Sequence, residues 1–398
     1  MRFPTSVLLT AVVALVVHVH AEDDGDVLYP VSFGPRDLPH KTVICPAVHR
    51  ANGTNVDIQI EYVDINPDAE RTILMVHGWP SLWHSWKYQI EEFKDDYHLL
   101  VPNLRGFARS THPGDVEGSS AMPDLVSDLA CVLEDSLKTN SRKRSAQGDG
   151  KVICMGHDWG TQVCYELARM RPDLVEGVVG TAIPYLPSAS KPLPTAQMYA
   201  LLPKLRYQSF LARPALAAQE LNADIRRALR GTLRSVSSPP PDAFLTDEES
   251  FMRAWGDIEI PPTPFFTPEE EDYWVEQYGI QGFESTVYFY TAKNRHRAWE
   301  FAFSQGNHTI SQPVLSILPT HDPVADWAFA AKLLKSEEFL PQLSPVVLLK
   351  AAHWIQLERP REVNAAVREW LKTLSAPGGA GKIEAGKHEE RGHATDEL

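Results

Sequence analysis

Val152-Ile153-Cys154-Met155-Gly156-His157-Asp158-Trp159-Gly160 passes from an apolar run into a pentapeptide with glycine at both ends, and residues 161–171 continue with helical periodicity. A strand, a turn tight enough to need small residues on both sides, and a helix place the central side chain above the edge of a sheet. That side chain is Asp158, and no Gly-x-Ser-x-Gly occurs in the chain. A serine there would need a base to remove its proton and would suit an acyl carbon. A carboxylate is already ionised at neutral pH and can displace at an sp³ carbon, forming an alkyl ester. Breaking that ester needs water activated by a base and N–H donors for the transient oxyanion. An aspartate after a strand otherwise serves as a helix N-cap; the flanking glycines favour the nucleophile.

Working outward, residues 56–65 alternate as a half-buried strand does, 72–76 form a short apolar run, and strand-like stretches recur at 98–102, 151–155 and 175–181. Helix-like stretches at 83–93 and 125–137 separate them. Such alternation predicts an α/β fold, a mostly parallel sheet with helices on both faces. The pattern then changes: Pro184, Pro187, Pro192, Pro194 and Pro203 interrupt a region whose helical segments run to about Gly306. Residues 184–307 are therefore expected to be an inserted, mainly helical cap between core segments 22–183 and 308–374. The second core segment carries strands at 314–318 and 346–349 and helices at 327–334 and 361–374. Residues 375–398 are rich in Gly, Lys and Glu and are expected to be disordered.

With these motifs in view, the span from about Cys45 to Leu374 resembles the epoxide hydrolases of the α/β-hydrolase superfamily. His77-Gly78-Trp79-Pro80 is similar to their oxyanion-hole loop, which implies that the backbone N–H groups of Trp79 and Trp159 hold the oxyanion. The resemblance puts the base at His353, in Ala352-His353-Trp354, and the acid that orients it at Asp322, in Thr320-His321-Asp322-Pro323, with Asp326 the alternative. Two cap tyrosines that donate to the epoxide oxygen match Tyr207 and Tyr290, with Tyr199 and Tyr288 as neighbouring alternatives. Leu211-Ala212 and Thr291-Ala292 depart from the family's pattern beside each tyrosine, and 103–108 and Ala352 depart in loops. His157 is expected to shape the turn rather than titrate. The resemblance implies a small-molecule epoxide as substrate and no metal or cofactor. A haloalkane or haloacid dehalogenase shares the nucleophile and histidine, but those enzymes carry other residues where Trp79 and Trp159 stand. A non-catalytic binding protein on the same fold is the reading from a different class, and its signature would be a missing triad member.

The chain has 398 residues and a formal charge of −14, which argues against nucleic acid or an anionic membrane as partner. Residues 1–21 read as a cleaved signal peptide: Arg2, an apolar run at 7–17, an exit at Ala21, then Glu22-Asp23-Asp24. The run falls short of the roughly 20 residues that cross a bilayer, so stable membrane insertion is not expected. The secretory pathway, ending outside the cell or in the endoplasmic reticulum lumen, is the expected location. Asn52-Gly53-Thr54 and Asn307-His308-Thr309 are glycosylation sequons, and Thr395-Asp396-Glu397-Leu398 differs at one position from a His-Asp-Glu-Leu retrieval signal. The four cysteines are too few for a disulfide scaffold. Cys154, in a strand, and Cys164, in a helix, are expected to be packed free thiols. The oligomeric state is not legible.

Overall fold

The computed structural model describes residues 17–18, 29–138, 150–192, 194–344 and 346–374. The basic loop Arg142-Lys143-Arg144, the tail 375–398 and the leader other than Val17 and His18 lie outside them.

The strands are β1 (Val17–His18), β2 (His40–His49), β3 (Thr54–Ile65), β4 (Thr72–Val76), β5 (His98–Pro102), β6 (Val152–His157), β7 (Val175–Thr181), β8 (Val314–Pro319) and β9 (Val347–Leu349). They form one sheet in the order β1-β9-β8-β7-β6-β4-β5-β3-β2. Pairing is parallel except for β2 with β3 and β3 with β5. Every residue of β4, β5 and β6 is buried, which follows from strands covered by helices on both faces. The amphipathic helices α1 (Lys87–Phe93), α2 (Met122–Lys138) and α3 (Trp159–Met170) supply that cover in the first core segment.

The chain leaves β4 for β5 on one side and returns to β6 on the other, so the loops after β4 and β6 face each other across a crevice. Open α/β sheets bind ligands at such a switch point, beyond the carboxyl ends of the strands.

Between β7 and β8 the chain is helical: α4 (Thr195–Leu201), α5 (Tyr207–Leu211), α6 (Pro214–Leu221), α7 (Ile225–Thr232), α8 (Pro268–Gln281) and α9 (Ala292–Gln305). Local chemistry sets these ends. Thr267 and Glu270 form a reciprocal capping box at the start of α8, with Pro268 next to the cap. Buried polar contacts hold this layer to the core. Lys87 Nζ lies 2.7 Å from Glu270, and Trp79 Nε1 donates to Thr286 Oγ1 at 3.0 Å. The chain then returns through α10 (Trp327–Leu333), α11 (Ile355–Glu358) and α12 (Pro360–Leu374).

Three features differ from the sequence expectations. The alternating run at 56–65 is one arm of a hairpin whose other arm, β2, carried no clear alternation of its own. Val17 and His18, expected to lie outside the fold, pair with Val347 and Leu348 at the sheet edge; the last strand leaves N–H and C=O groups unpaired, and any extended segment can satisfy them. The cysteines are not free thiols: Cys45 pairs with Cys131 and Cys154 with Cys164. The first bond ties β2 to α2. The second arises because α3 folds back along β6 after the turn, which brings residues ten apart face to face.

Candidate active site

Asp158 stands at the carboxyl end of β6 with φ 53° and ψ −126°, a left-handed conformation unusual for a residue with a side chain. Two glycines make room for it. A Cβ at Gly160 would lie 2.1 Å from the Val76 carbonyl oxygen, so α3 could not approach β4. A Cβ at Gly78 would lie 2.5 Å from Asp158 Oδ1, in the space the carboxylate occupies.

The carboxylate has a partner for each oxygen. Trp79 N–H donates to Oδ1 at 3.0 Å, and Oδ2 lies 3.4 Å from His353 Nε2. On the far side of the imidazole, Nδ1 is 2.7 Å from Asp322 Oδ2. Asp322 is itself held by Val324 N–H at 2.8 Å and Trp327 Nε1 at 2.7 Å, so the histidine meets a fixed acceptor. Burial alone would strip the proton from His353. Asp322 and Asp158 outweigh it, and its pKa is pushed up to about 10. For Asp158 burial opposes ionisation, but the contact with His353 and the Trp79 N–H hold the carboxyl below its usual range. The resting pair is thus carboxylate and imidazolium. Asp326, the alternative acid, instead caps α10 by accepting from Phe329 N–H at 2.9 Å.

Two other histidines of the motifs, His77 and His157, are neutral scaffolding. His77 lies 2.8 Å from the Gly78 carbonyl through Nδ1 and accepts from Leu104 N–H at 3.0 Å through Nε2, which makes Nδ1 the donor. Burial drives its pKa down to about 4. His157 lies 2.9 Å from the His353 carbonyl oxygen through Nε2; burial and the His353 cation drive it down to about 3. It orients the segment that carries His353.

Tyr207 and Tyr290 line the same cavity as Asp158 and His353, with ring centroids 6.0 Å apart. Burial, together with the nearby Asp158 charge, raises both phenols above their ordinary value, so both are donors at neutral pH. The alternatives lie elsewhere. Tyr199 is hydrogen-bonded to Ser209 at 2.8 Å, and Tyr288 stacks beside His112 away from the cavity. Trp159 stacks on Phe289 with planes 8° apart, and its N–H is the first of α3, where a helix offers no acceptor.

The cavity encloses about 500 Å³ not filled by atoms, counted to its open mouth. Its walls include residues that periodicity did not single out: Phe244, Leu245, Phe251, Val324 and Arg234. Arg234 is buried and held by the carbonyls of Arg230, Pro261, Pro262 and Ser238 and by the Ser238 hydroxyl. The paired prolines of that loop were the signal for it, since Pro261 and Pro262 leave carbonyls exposed without offering N–H groups.

Comparisons with known proteins bear on the fold and the family. A family model described as the alpha/beta hydrolase fold matches residues 71–360. The chain is 29% identical over 332 residues to Epoxide hydrolase A of Mycobacterium tuberculosis, across 80% of this chain and 95% of that one. It is 24% identical over 353 residues to Bifunctional epoxide hydrolase 2 of Sus scrofa, across 87% of this chain and 57% of that relative, so it spans little more than half of the bifunctional protein. Among solved structures, Epoxide Hydrolase A from Mycobacterium thermoresistibile superposes with a TM-score of 0.67 at 27% identity, over 84% of this chain and 98% of that one.

Proposed function

The chain belongs to the α/β-hydrolase fold family, and on that premise we propose that it hydrolyses epoxides to vicinal diols through an ester on Asp158. The observation that carries this reading is the pairing of a carboxylate nucleophile with two buried phenols across one cavity. A carboxylate alone would serve a dehalogenase equally well. A strained ring that opens to an alkoxide needs proton donors opposite the nucleophile, and Tyr207 and Tyr290 are of that kind.

The proton count closes with the residues present. Asp158 Oδ2, the oxygen not held by Trp79, attacks a ring carbon; the C–O bond of the ring breaks, and the released oxygen takes a proton from a tyrosine. Esterification removes the Asp158 charge, one of the two that keep His353 protonated. His353 then gives up its proton to restore the phenol and becomes a neutral base. It takes a proton from water, hydroxide adds to the Asp158 carbonyl, and the N–H groups of Trp79 and Trp159 hold the oxyanion. Collapse expels the second alkoxide, which takes the carboxyl proton. Carboxylate and imidazolium are regenerated, and the sum is epoxide plus water to diol. Asp322 keeps the imidazole in one orientation throughout.

One turnover in heavy-oxygen water tests this, using a panel of aryl, fatty and terpenoid epoxides. The label is expected in Asp158 and not in the first diol released, because the new diol oxygen comes from the enzyme. Label entering the first diol directly would mean that Asp158 acts only as a base.

The reading extends to residues 184–307 as a cap inserted between core segments 22–183 and 308–374, and to removal of residues 1–21 in the secretory pathway. Two disulfides suit an oxidising compartment, and Asn52 and Asn307 are both exposed, as glycan acceptors must be. Amino-terminal sequencing of the native protein is expected to begin near Glu22, with mass lost on enzymatic deglycosylation. An intact Met1 in a cytosolic fraction would contradict this.

A further inference from the structure

Ring opening carries negative charge across the cavity. It leaves Asp158, beside His353 and Asp322, and arrives on an oxygen beside Tyr207 and Tyr290. The imidazolium that balanced the charge in the resting site stays on the core side. What the cap offers on the arriving side therefore matters, and the group there is Arg295, in the first turn of α9.

Its contacts converge on both tyrosines. Arg295 Nε donates to the Phe289 carbonyl oxygen at 2.8 Å, one residue before Tyr290. Nη2 donates to Gln208 Oε1 at 3.0 Å, one residue after Tyr207. The guanidinium carbon lies 5.5 Å from the centroid of the Tyr290 ring and 5.2 Å from that of Trp159, within the range of a cation–π contact. No carboxylate among the described residues pairs with it, although most other arginines of the cap have one. A planar fork suits this bridging task, since it can direct two N–H groups to fixed acceptors while its face lies on aromatic rings.

We infer that Arg295 is a positioning residue for ring opening: one guanidinium sets the spacing of the two phenol donors and keeps a positive charge behind them as the alkoxide forms. The inference rests on the epoxide-hydrolase reading. In line with it, Arg295 opposes the rise that burial imposes on both phenols, which makes them better donors than burial alone would leave them. The second half-reaction does not draw on these donors, because water attacks the Asp158 carbonyl with His353 and the N–H groups of Trp79 and Trp159. Arg295 should therefore serve alkylation and not ester hydrolysis.

The test is single-turnover kinetics of the full chain by quench and mass measurement, with the panel epoxide that wild type alkylates fastest. Arg295→Met is expected to slow adduct formation on Asp158 by ~10- to 100-fold while ester breakdown stays within about twofold. Arg295→Lys, which keeps the charge without the fork, is expected to fall between Arg295→Met and wild type. If Arg295→Met does not fold, the lysine variant still reports the split between the two steps. Equal slowing of both steps would make Arg295 merely a packing residue, and unchanged alkylation would remove it from the reaction. Absence of any adduct in wild type would instead overturn the epoxide reading itself, so the two failures are distinguishable.

Discussion

His353→Gln is expected to stop the reaction halfway, leaving on the peptide that contains Asp158 an adduct equal in mass to the entire epoxide. The nucleophile needs no base to become anionic, since an aspartic acid ordinarily ionises near about pH 4 and the Trp79 N–H still holds the carboxylate when the contact with His353 is removed. Alkylation should therefore survive, slowed by the loss of the imidazolium that restores the phenol. Among the described residues that line the cavity, His353 is the base that faces Asp158. General-base catalysis contributes about 10²–10⁴-fold, so steady-state turnover should fall by at least that range and adduct should accumulate. A dehalogenase would leave an adduct without its halogen. Loss of turnover with no adduct would place the histidine in the first step and overturn the order proposed.

The same residue predicts a pH effect on stability. The folded-state pKa of His353, about 10, stands above the ordinary 6.5, so its interactions with Asp158 and Asp322 stabilise the fold fully below about pH 6.5. That contribution is lost as pH rises toward about 10. Thermal unfolding of wild type should show a decline across this window that His353→Gln lacks; parallel curves would mean that the imidazole is not protonated in the resting site.

The double variant Tyr207→Phe with Tyr290→Phe is expected to lose nearly all alkylation. Each phenol offers a hydrogen bond that strengthens as the ring oxygen gains charge, and removing one such donor typically costs ~10²–10³-fold. One phenol remaining should rescue part of the rate, so either single change should leave measurable alkylation. Both removals leave the alkoxide facing Phe244, Phe251 and Phe rings in a buried cavity, with no donor of comparable position. Ester hydrolysis, measured on adduct formed slowly by the double variant, should change little. Full alkylation by that variant would require other donors, such as Thr232 or Arg234 in the cavity wall.

Much of the candidate site was readable because its parts are local. The elbow announces itself by two glycines around Asp158. His77-Gly78-Trp79-Pro80 follows a buried run, and Asp322 and His353 each follow a strand in the chain order the fold requires. The choice of Asp322 over Asp326 rested on resemblance, and the structure supplies its reason: Asp326 is used up in starting a helix. The cap was harder to read. Four tyrosines stand at 199, 207, 288 and 290, and packing separates those that meet the cavity from those bonded to Ser209 or buried near His112.

The amino-acid sequence is enough to read the kind of chemistry, because charge and backbone geometry at a glycine-flanked turn depend on residues adjacent in the chain. It determined the layered α/β architecture for a similar reason, since continuous apolar runs can only be central parallel strands once helices alternate with them. Tertiary structure alone decided the rest. The Cys154–Cys164 bond depends on a helix folding back along its strand, and the Cys45–Cys131 bond on a hairpin docking against a helix 86 residues away. Arg295 joins segments near 208 and 289 that no local pattern connects. These are contacts between residues far apart in sequence, whose energy is realised only after the chain between them has paid its entropy of closure, and no run of neighbouring residues carries their signature.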